Sequence, residues 1–262
     1  MNKSIGRPIT DEERTATLGL YVRTGILPWI EAWAKDLCTP LWWDVPEQLG
    51  PGGGRMGGTV CLVHTGERLL GITAAHIHAE IAARLDEGLS TWCQLGGHTF
   101  DPVARLIDTD KHLDVATYDL SEVQVAASGH RAHRPPKWPP DPLALDDICV
   151  VGGYPWELSF DPTATSRTQM FLHFVAHLDD SSNSTSVVLI KPDTSTAWTS
   201  RGLGPGTNLG GLSGGPVFRF TEVPGQLSTL TMSAVTSEYG LDVIFARPLS
   251  FVSADGSLVR VA

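Results

Sequence analysis

Residues 208–217 read NLGGLSGGPV, a serine enclosed by two glycines on each side. A nucleophilic serine needs an exposed hydroxyl at a tight turn, with backbone N–H groups nearby to bind the oxyanion that forms on attack. Glycines favour both features, because they adopt unusual backbone angles and let a substrate approach closely. Ser213 is therefore the first candidate nucleophile. The position of its partners along the chain decides which fold to expect.

Chain order separates two classes of serine hydrolase. Residues 211–215 also match the G-x-S-x-G turn of α/β-hydrolases, in which the histidine follows the serine. The last histidine of this chain is His177, so that fold is disfavoured. Upstream, His76 follows the apolar run LGITAA at 70–75. Asp114 enters the apolar run VATY at 115–118 and is the preferred orienting carboxylate, ahead of its neighbours Asp110 and Asp119.

Composition and patterning favour an all-β protein. Of 262 residues, 27 are glycine and 18 are proline, which is rich in turns and disfavours a helical bundle. Short apolar runs recur from residue 59 onward with turn residues between them. Residues 128–147 contain five prolines and predict a connector between two β regions. Before residue 45 the pattern is helical, with a predicted helix over 11–24 and a second one beginning at Pro28.

Charge and cysteine content narrow the class of partner and the compartment. The net charge of −10, without a basic run, disfavours nucleic acids and anionic membranes as partners. The first 17 residues are polar and resemble no secretory signal, so a cytoplasmic location is expected. The four cysteines form no CxxC pair, and we interpret them as reduced, mostly buried thiols. Because four is an even number, two disulfides are the alternative interpretation.

Three segments together resemble the signature segments of chymotrypsin/trypsin-like serine peptidases. They are TAAH at 73–76, DVA at 114–116 and GLSGGP at 211–216, in the order His, Asp, Ser. The resemblance covers about residues 55–262 and is most similar to the bacterial and intracellular branches. Leu212 precedes the serine, where zymogen-activated members carry an aspartate. Ile77 follows the histidine, where many secreted members carry a disulfide cysteine.

The resemblance implies two packed six-stranded Greek-key β-barrels with a helical N-terminal extension. Ser213 resembles the nucleophile, His76 the general base and acid, and Asp114 the residue that orients the imidazole. The backbone N–H groups of Gly211 and Ser213 would form the oxyanion hole. The implied domains are a helical arm and Gly-rich hinge at 1–54, a first barrel at 55–127, the connector at 128–147 and a second barrel at 148–262.

The resemblance also indicates where a substrate would bind. Thr207 resembles the floor of the primary specificity pocket, and Asn208, Gly210, Thr236 and Ser237 resemble substrate-contacting residues. Because Thr207 carries no carboxylate, a preference for Arg or Lys is not expected. An uncertain register in 234–238 leaves open whether Glu238 reaches the pocket.

The reaction implied is hydrolysis of a protein or peptide substrate through an acyl-enzyme, with no metal and no cofactor. His173 and His177, four residues apart, read as ordinary histidines on a strand, and His78 as a weak metal candidate beside His76. His130 and His133 are expected to be solvated. Two hypotheses concern function: a regulatory partner acts through the N-terminal arm, and alternatively the module is catalytically silent and binds proteins.

Overall fold

The computed structural model is mostly β, with few helices. It describes residues 26–45, 54–89, 92–145, 147–155, 160–163, 166–168, 171–178, 187–190, 210–221, 229–239 and 243–260. The helix predicted over 11–24 lies outside these residues. In the described part of the chain, no helix is both long enough and apolar enough to cross a membrane.

Seven strands form the first sheet, in the order β5-β4-β1-β2-β3-β7-β6, and every neighbouring pair is antiparallel. The strands are β1 Cys38–Val45, β2 Gly54–His64, β3 Leu69–Thr73, β4 Cys93–Leu95, β5 His98–Thr99, β6 Leu106–Asp110 and β7 Val115–Asp119. Two helices accompany them, α2 Ala75–Asp86 between β3 and β4, and α3 Glu122–Ala127 after β7.

The central strand β2 is buried on both faces, which its alternating side chains explain. Successive side chains of a strand point to opposite faces. Val60 and Leu62 pack with the core that lies under α2, whereas Cys61 and Val63 pack with residues of the second half of the chain. The run of apolar residues at 60–63 therefore places this strand between two hydrophobic cores.

The second sheet contains six strands that pair in a closed ring, in the order β11-β12-β15-β14-β13-β8. The strands are β8 Ile148–Gly153, β11 Leu172–Leu178, β12 Val187–Ile190, β13 Pro216–Thr221, β14 Thr229–Tyr239 and β15 Val243–Pro248. A separate hairpin joins β9 Phe160–Thr163 to β10 Ser166–Thr168.

A shared hydrophobic core joins the two halves. It contains Cys61 and Ile72 from the first sheet together with Val150, Phe218 and Met232 from the second. The connector also pairs with β2. The N–H of His64 donates to the carbonyl of His133, and the N–H of His133 donates to the carbonyl of Leu62. The two halves therefore pack against each other through this shared core.

The predicted N-terminal arm differs from what the structure shows. The second predicted helix is α1 Ile26–Asp36, and its Ile30 and Ala34 are buried in the shared core. The chain then enters β1, which pairs along its whole length with β2. Residues 38–45 thus belong to the first sheet, and the boundary at residue 55 is too late. Residue 54, the last of the predicted arm and hinge, is already the first residue of β2, in which Gly57 makes room for the Trp42 ring.

The expected pair of six-stranded Greek-key barrels is not confirmed in detail. Among the described strands, the first half forms a seven-stranded sheet in which β5 and β6 each have one neighbour. One of these strands is β1, which lies in the region before residue 45 that the sequence pattern predicts to be helical. All four cysteines are buried free thiols, in agreement with the expectation of reduced cysteines.

Candidate active site

His76 is the second residue of helix α2, which begins directly after β3. The preceding Ala74 is extended (φ −72°, ψ 140°) and provides no side-chain cap. The first N–H groups of a helix lack partners within the helix. Here the N–H of His76 donates to Asp114 Oδ1 at 2.9 Å. The carboxylate of Asp114 therefore binds the start of the helix that carries His76.

The same carboxylate binds the imidazole ring. Nδ1 of His76 lies 3.1 Å from Oδ1 and 3.0 Å from Oδ2 of Asp114. An ionised carboxylate can only accept hydrogen bonds, so the proton of the neutral ring is assigned to Nδ1. Nε2 is then the basic nitrogen. The ring is about half exposed (49%), whereas the side chain of Asp114 is 18% exposed.

The turn before β7 selects Asp114 among the three candidate carboxylates. Asp110 Oδ1 accepts hydrogen bonds from the N–H groups of His112 (2.8 Å) and Leu113 (3.0 Å), which folds the turn. Asp114 follows with φ +50°, a left-handed backbone that aspartate tolerates better than most residues. Asp119 lies at the other end of β7 and pairs with Arg68 at 3.5 Å.

The pKa of His76 is raised above its ordinary value of 6.5. The main cause is the hydrogen bond with Asp114; partial burial opposes it, and the charges of Asp114, Glu80 and Glu238 add to it. Glu80 is one helical turn further along α2, and Glu238 is an exposed residue of β14. Three carboxylates from three elements therefore favour the imidazolium ion, which is the state that follows uptake of a proton from a nucleophile.

Ser213 lies in a tight turn between the two sheets. Gly211 and Gly214 adopt positive φ angles of 92° and 82°, which suit glycine. The N–H of Gly215 closes the turn by donating to Leu212 O at 2.8 Å, and the N–H of Gly214 donates to Thr236 O of β14 at 2.7 Å. A Cβ at Gly214 would lie 2.0 Å from Thr59 O. This close approach seats the turn against β2.

The backbone of Ser213 is linked through Thr59 to strand β3, which precedes His76. The carbonyl of Ser213 accepts from the N–H of Thr59 at 2.9 Å, and the carbonyl of Thr59 accepts from Thr73 Oγ1 at 2.8 Å. Thr73 ends β3 three residues before His76. Ser213 Oγ itself donates to Ser237 O at 3.0 Å. Among the hydrogen bonds of the described residues, none joins Ser213 to His76.

The predicted oxyanion donors are present and available. In the described part of the chain, no hydrogen bond engages the N–H of Gly211 or of Ser213. Two N–H groups two residues apart in a turn can converge on one oxygen atom. Both N–H groups therefore remain able to donate to a bound ligand.

The predicted substrate-binding residues divide into three groups. Thr207 and Asn208 lie outside the described residues, and Gly210 is half-buried at the start of the turn. The hydroxyl of Thr236 is buried and engaged inside the turn, donating to Leu212 O at 2.5 Å and accepting from the N–H of Gly215 at 2.8 Å. Ser237 is buried, and its carbonyl holds the hydroxyl of Ser213.

The remaining histidines that the sequence singled out do not contact Asp114 or Ser213 among the described hydrogen bonds. His78 lies on helix α2 and not on a strand, and its Nδ1 contacts the hydroxyl of Tyr118 at 3.2 Å. His133 is buried, contrary to expectation, and burial lowers its pKa to about 4. Nδ1 of His130 lies 3.1 Å from Lys35 O. His173 and His177 lie on strand β11, as predicted. In the stretches that the structure covers, no three His, Cys, Asp or Glu residues are grouped to hold a metal ion.

Two residues that hold the Ser213 turn were missed by sequence reasoning. Thr59 Oγ1 donates to Gly211 O at 2.9 Å, and Cys61 Sγ donates to Gly214 O at 3.0 Å. Both belong to the apolar pattern of β2, and no local motif distinguishes them. Only the packing of β2 against a turn about 150 residues later gives them this position.

No family model matches the chain, and no curated protein matches it. Among solved structures, it is similar to a thermostable serine protease, AL20, from an extremophilic microorganism. The two are 13% identical, the similarity covers 82% of this chain and 93% of that chain, and the TM-score is 0.43. At this level of similarity, what the chain does is inferred from the geometry of its own residues.

Proposed function

We propose that the protein is a serine endopeptidase that uses Ser213, His76 and Asp114. The observation that carries this proposal is the double contact of Asp114, whose carboxylate binds both the backbone N–H and the ring Nδ1 of His76. A helix start, a turn and an imidazole are thereby locked into one orientation. The glycine turn with two available N–H groups supports the same reaction.

The proposed reaction proceeds through a covalent acyl-enzyme. Nε2 of His76 accepts the proton of Ser213 Oγ as the oxygen attacks the scissile carbonyl carbon. The N–H groups of Gly211 and Ser213 stabilise the oxyanion, and the imidazolium returns its proton to the leaving amine. Water then releases the acyl group by the same route. Before attack, the serine hydroxyl must exchange its hydrogen bond to Ser237 O for one to Nε2 of His76.

The substrate class follows from the same site. We propose a protein or peptide substrate without preference for Arg or Lys, because Thr207 provides no carboxylate in the expected pocket. Glu238 does place an acidic group near His76. A peptide-library digest read by mass spectrometry tests this preference, and dominant cleavage after Arg or Lys would contradict it. A cytoplasmic location and membership of the bacterial and intracellular branch stay predictions.

Labelling by an organophosphonate tests the catalytic assignment. We expect the probe to add its mass to Ser213, and Ser213→Ala to abolish both labelling and peptide hydrolysis, with a loss of several orders of magnitude. Ser250→Ala, which changes an exposed serine outside the turn, is the matched control and should keep both. A folded wild type that is neither labelled nor active would favour the catalytically silent binding module.

Control by a partner through the N-terminal arm is the second proposal on function. Ile30 and Ala34 lie in the shared core and β1 pairs with β2, so the deletion is limited to residues 1–25, which leaves both of these elements in place. Deleting residues 1–25 should change turnover while the melting temperature stays near that of the wild type. Unchanged turnover and solubility would remove the arm from any regulatory role.

A further inference from the structure

The turn that carries Ser213 needs an anchor that the sequence does not reveal. Leu212 precedes the serine, so no side-chain ion pair can hold the turn from this position. Its side chain is instead buried with Val151 and Val217 of the second sheet. Burial of an apolar side chain is not directional, so it sets the depth of the turn but not the direction of its peptide groups.

Thr59 makes four hydrogen bonds, and two of them orient peptide groups of the turn. Its N–H donates to Ser213 O at 2.9 Å, and its hydroxyl donates to Gly211 O at 2.9 Å. The hydroxyl also accepts from the N–H of Tyr154 at 2.9 Å, and the carbonyl accepts from Thr73 Oγ1 at 2.8 Å. Thr59 is fully buried. Every polar group of this residue is therefore engaged, and two of them reach the turn.

The bond to Gly211 has a geometric consequence for the oxyanion donors. A peptide unit is planar, so fixing a carbonyl also fixes the N–H of the next residue on its opposite side. Gly211 has no Cβ and lies at φ 92°, where many backbone orientations are accessible to glycine. The carbonyl of Gly211 shares its peptide plane with the N–H of Leu212, so the bond from Thr59 fixes the peptide group that follows Gly211. The N–H of Gly211 belongs to the preceding peptide group, and its direction relative to the fixed group then depends only on the φ and ψ angles of Gly211.

The two sheets share the task of holding the turn. Thr236 of the second sheet holds the carbonyl of Leu212, whose peptide plane contains the N–H of Ser213. Thr59 of the first sheet holds the carbonyl of Gly211. A threonine hydroxyl of the second sheet thus fixes the peptide group that carries the N–H of Ser213, and a threonine hydroxyl of the first sheet fixes the peptide group that directly follows Gly211.

We propose that Thr59 is a positioning residue whose hydroxyl fixes the peptide group after Gly211 and thereby limits the directions that the N–H of Gly211 can take towards the substrate oxyanion. This inference rests on the proposed function, and it assigns a role to a residue in the strand opposite the nucleophile. Thr59 touches neither the substrate nor the reacting atoms. It acts by removing backbone freedom from a glycine that does.

Two substitutions separate the hydroxyl from the shape of the side chain. Thr59→Val keeps the shape and removes the hydroxyl, and we expect kcat to fall by roughly tenfold with KM changed by less than about threefold. Thr59→Ser keeps the hydroxyl and should restore most of kcat. Thr117→Val is the matched control, because it removes a buried hydroxyl that binds Gly256 O at 2.6 Å, outside the turn. It should lower stability and leave kcat near the wild-type value.

Hydrogen exchange of the turn gives a readout that does not depend on activity. The N–H of Gly214 donates to Thr236 O of β14, and the N–H of Gly215 donates to Leu212 O of the turn. Thr59→Val should speed the exchange of both N–H groups, whereas Thr59→Ser and Thr117→Val should not. Wild-type exchange together with wild-type kcat in Thr59→Val would overturn the inference. A wild type that is neither labelled nor active would refute the proposed function, and the exchange comparison would still decide whether Thr59 holds the turn.

Discussion

At the scale of single residues, one carboxylate organises the proposed catalytic centre. Asp114 accepts from the N–H and from the ring of His76, so the start of helix α2 and the imidazole cannot move independently. Folding raises the pKa of His76, which means that the folded state favours the imidazolium. This stabilisation is complete below about pH 6.5 and is lost as the pH rises through the raised, folded-state pKa.

Catalysis needs the opposite protonation state, so activity and this stabilisation should change in opposite directions with pH. We expect kcat/KM to rise with pH, with a midpoint above 6.5, because His76 acts as a base only when neutral. Asp114→Asn should lower this midpoint and reduce kcat by about 10³–10⁴-fold, since the ring loses its orientation and tautomer. A pH profile between 5 and 9 measures both effects.

Glu238 provides the control for this pH dependence. Glu238→Gln removes an exposed charge that acts on His76 without bonding to the ring, so the midpoint should fall slightly and kcat should stay near that of the wild type. The shift should shrink as salt is added. An activity that is flat down to pH 5 would exclude His76 as the base.

At the scale of elements, the turn at 211–215 depends on its close contact with strands β2 and β3 as much as on the backbone angles of its glycines. Gly214 combines φ 82° with a site where a Cβ would meet Thr59 O at 2.0 Å and Thr73 Oγ1 at 2.3 Å. Neither atom can withdraw cheaply, because one is backbone and the other belongs to a fully buried residue. The turn therefore fits only while residue 214 has no side chain.

Gly214→Ala should thus be far more harmful than the same change at a turn in open space. We expect it to lower the free energy of unfolding by roughly 3 kcal/mol or more, from backbone strain and overpacking combined. Gly66→Ala is the matched control: its φ is 103°, but nothing lies within 4 Å of the added Cβ, so a loss of about 1–2 kcal/mol is expected. Urea denaturation measures both, and equal losses would show that steric contact contributes nothing.

At the scale of the whole molecule, helix α1 joins the two halves. Its Ile30 and Ala34 enter the shared core, and Trp33 packs edge-on against His133 of the connector and Phe218 of β13, with ring centroids 5.7 and 4.9 Å apart. Trp29, one turn earlier, stacks on Trp33 but is 51% exposed. The helix predicted from Pro28 onward is thus packed on the body of the protein, as an arm that docks on the domain would be.

Trp33 should therefore contribute to the stability of the whole chain. Trp33→Ala is expected to lower the free energy of unfolding by about 3–5 kcal/mol, because it removes a large ring packed against the shared core. Trp29→Ala should cost less than about 1 kcal/mol, because that ring is half in solvent. Chemical denaturation compares the two, and a Trp29→Ala loss as large as that of Trp33→Ala would contradict this role of the helix.

Local patterns in the sequence were enough to indicate the mostly β architecture, the glycine turn around Ser213 and the region of His76. They were enough because alternation, turn residues and glycine spacing act over a few residues. Assigning residues 38–45 to the arm failed for the same reason: whether a short apolar segment becomes a strand depends on a partner strand, which here is β2.

Tertiary structure alone decided how the proposed site is assembled. Asp110, Asp114 and Asp119 look alike in sequence, and only the turn before β7 brings Asp114 to the start of α2. In the same way, Thr59 reads as an ordinary strand residue until β2 packs against the turn at 211–215. Hydrogen bonds depend on distance and direction in space, so residues 38 or 152 positions apart become partners only after the sheets have packed.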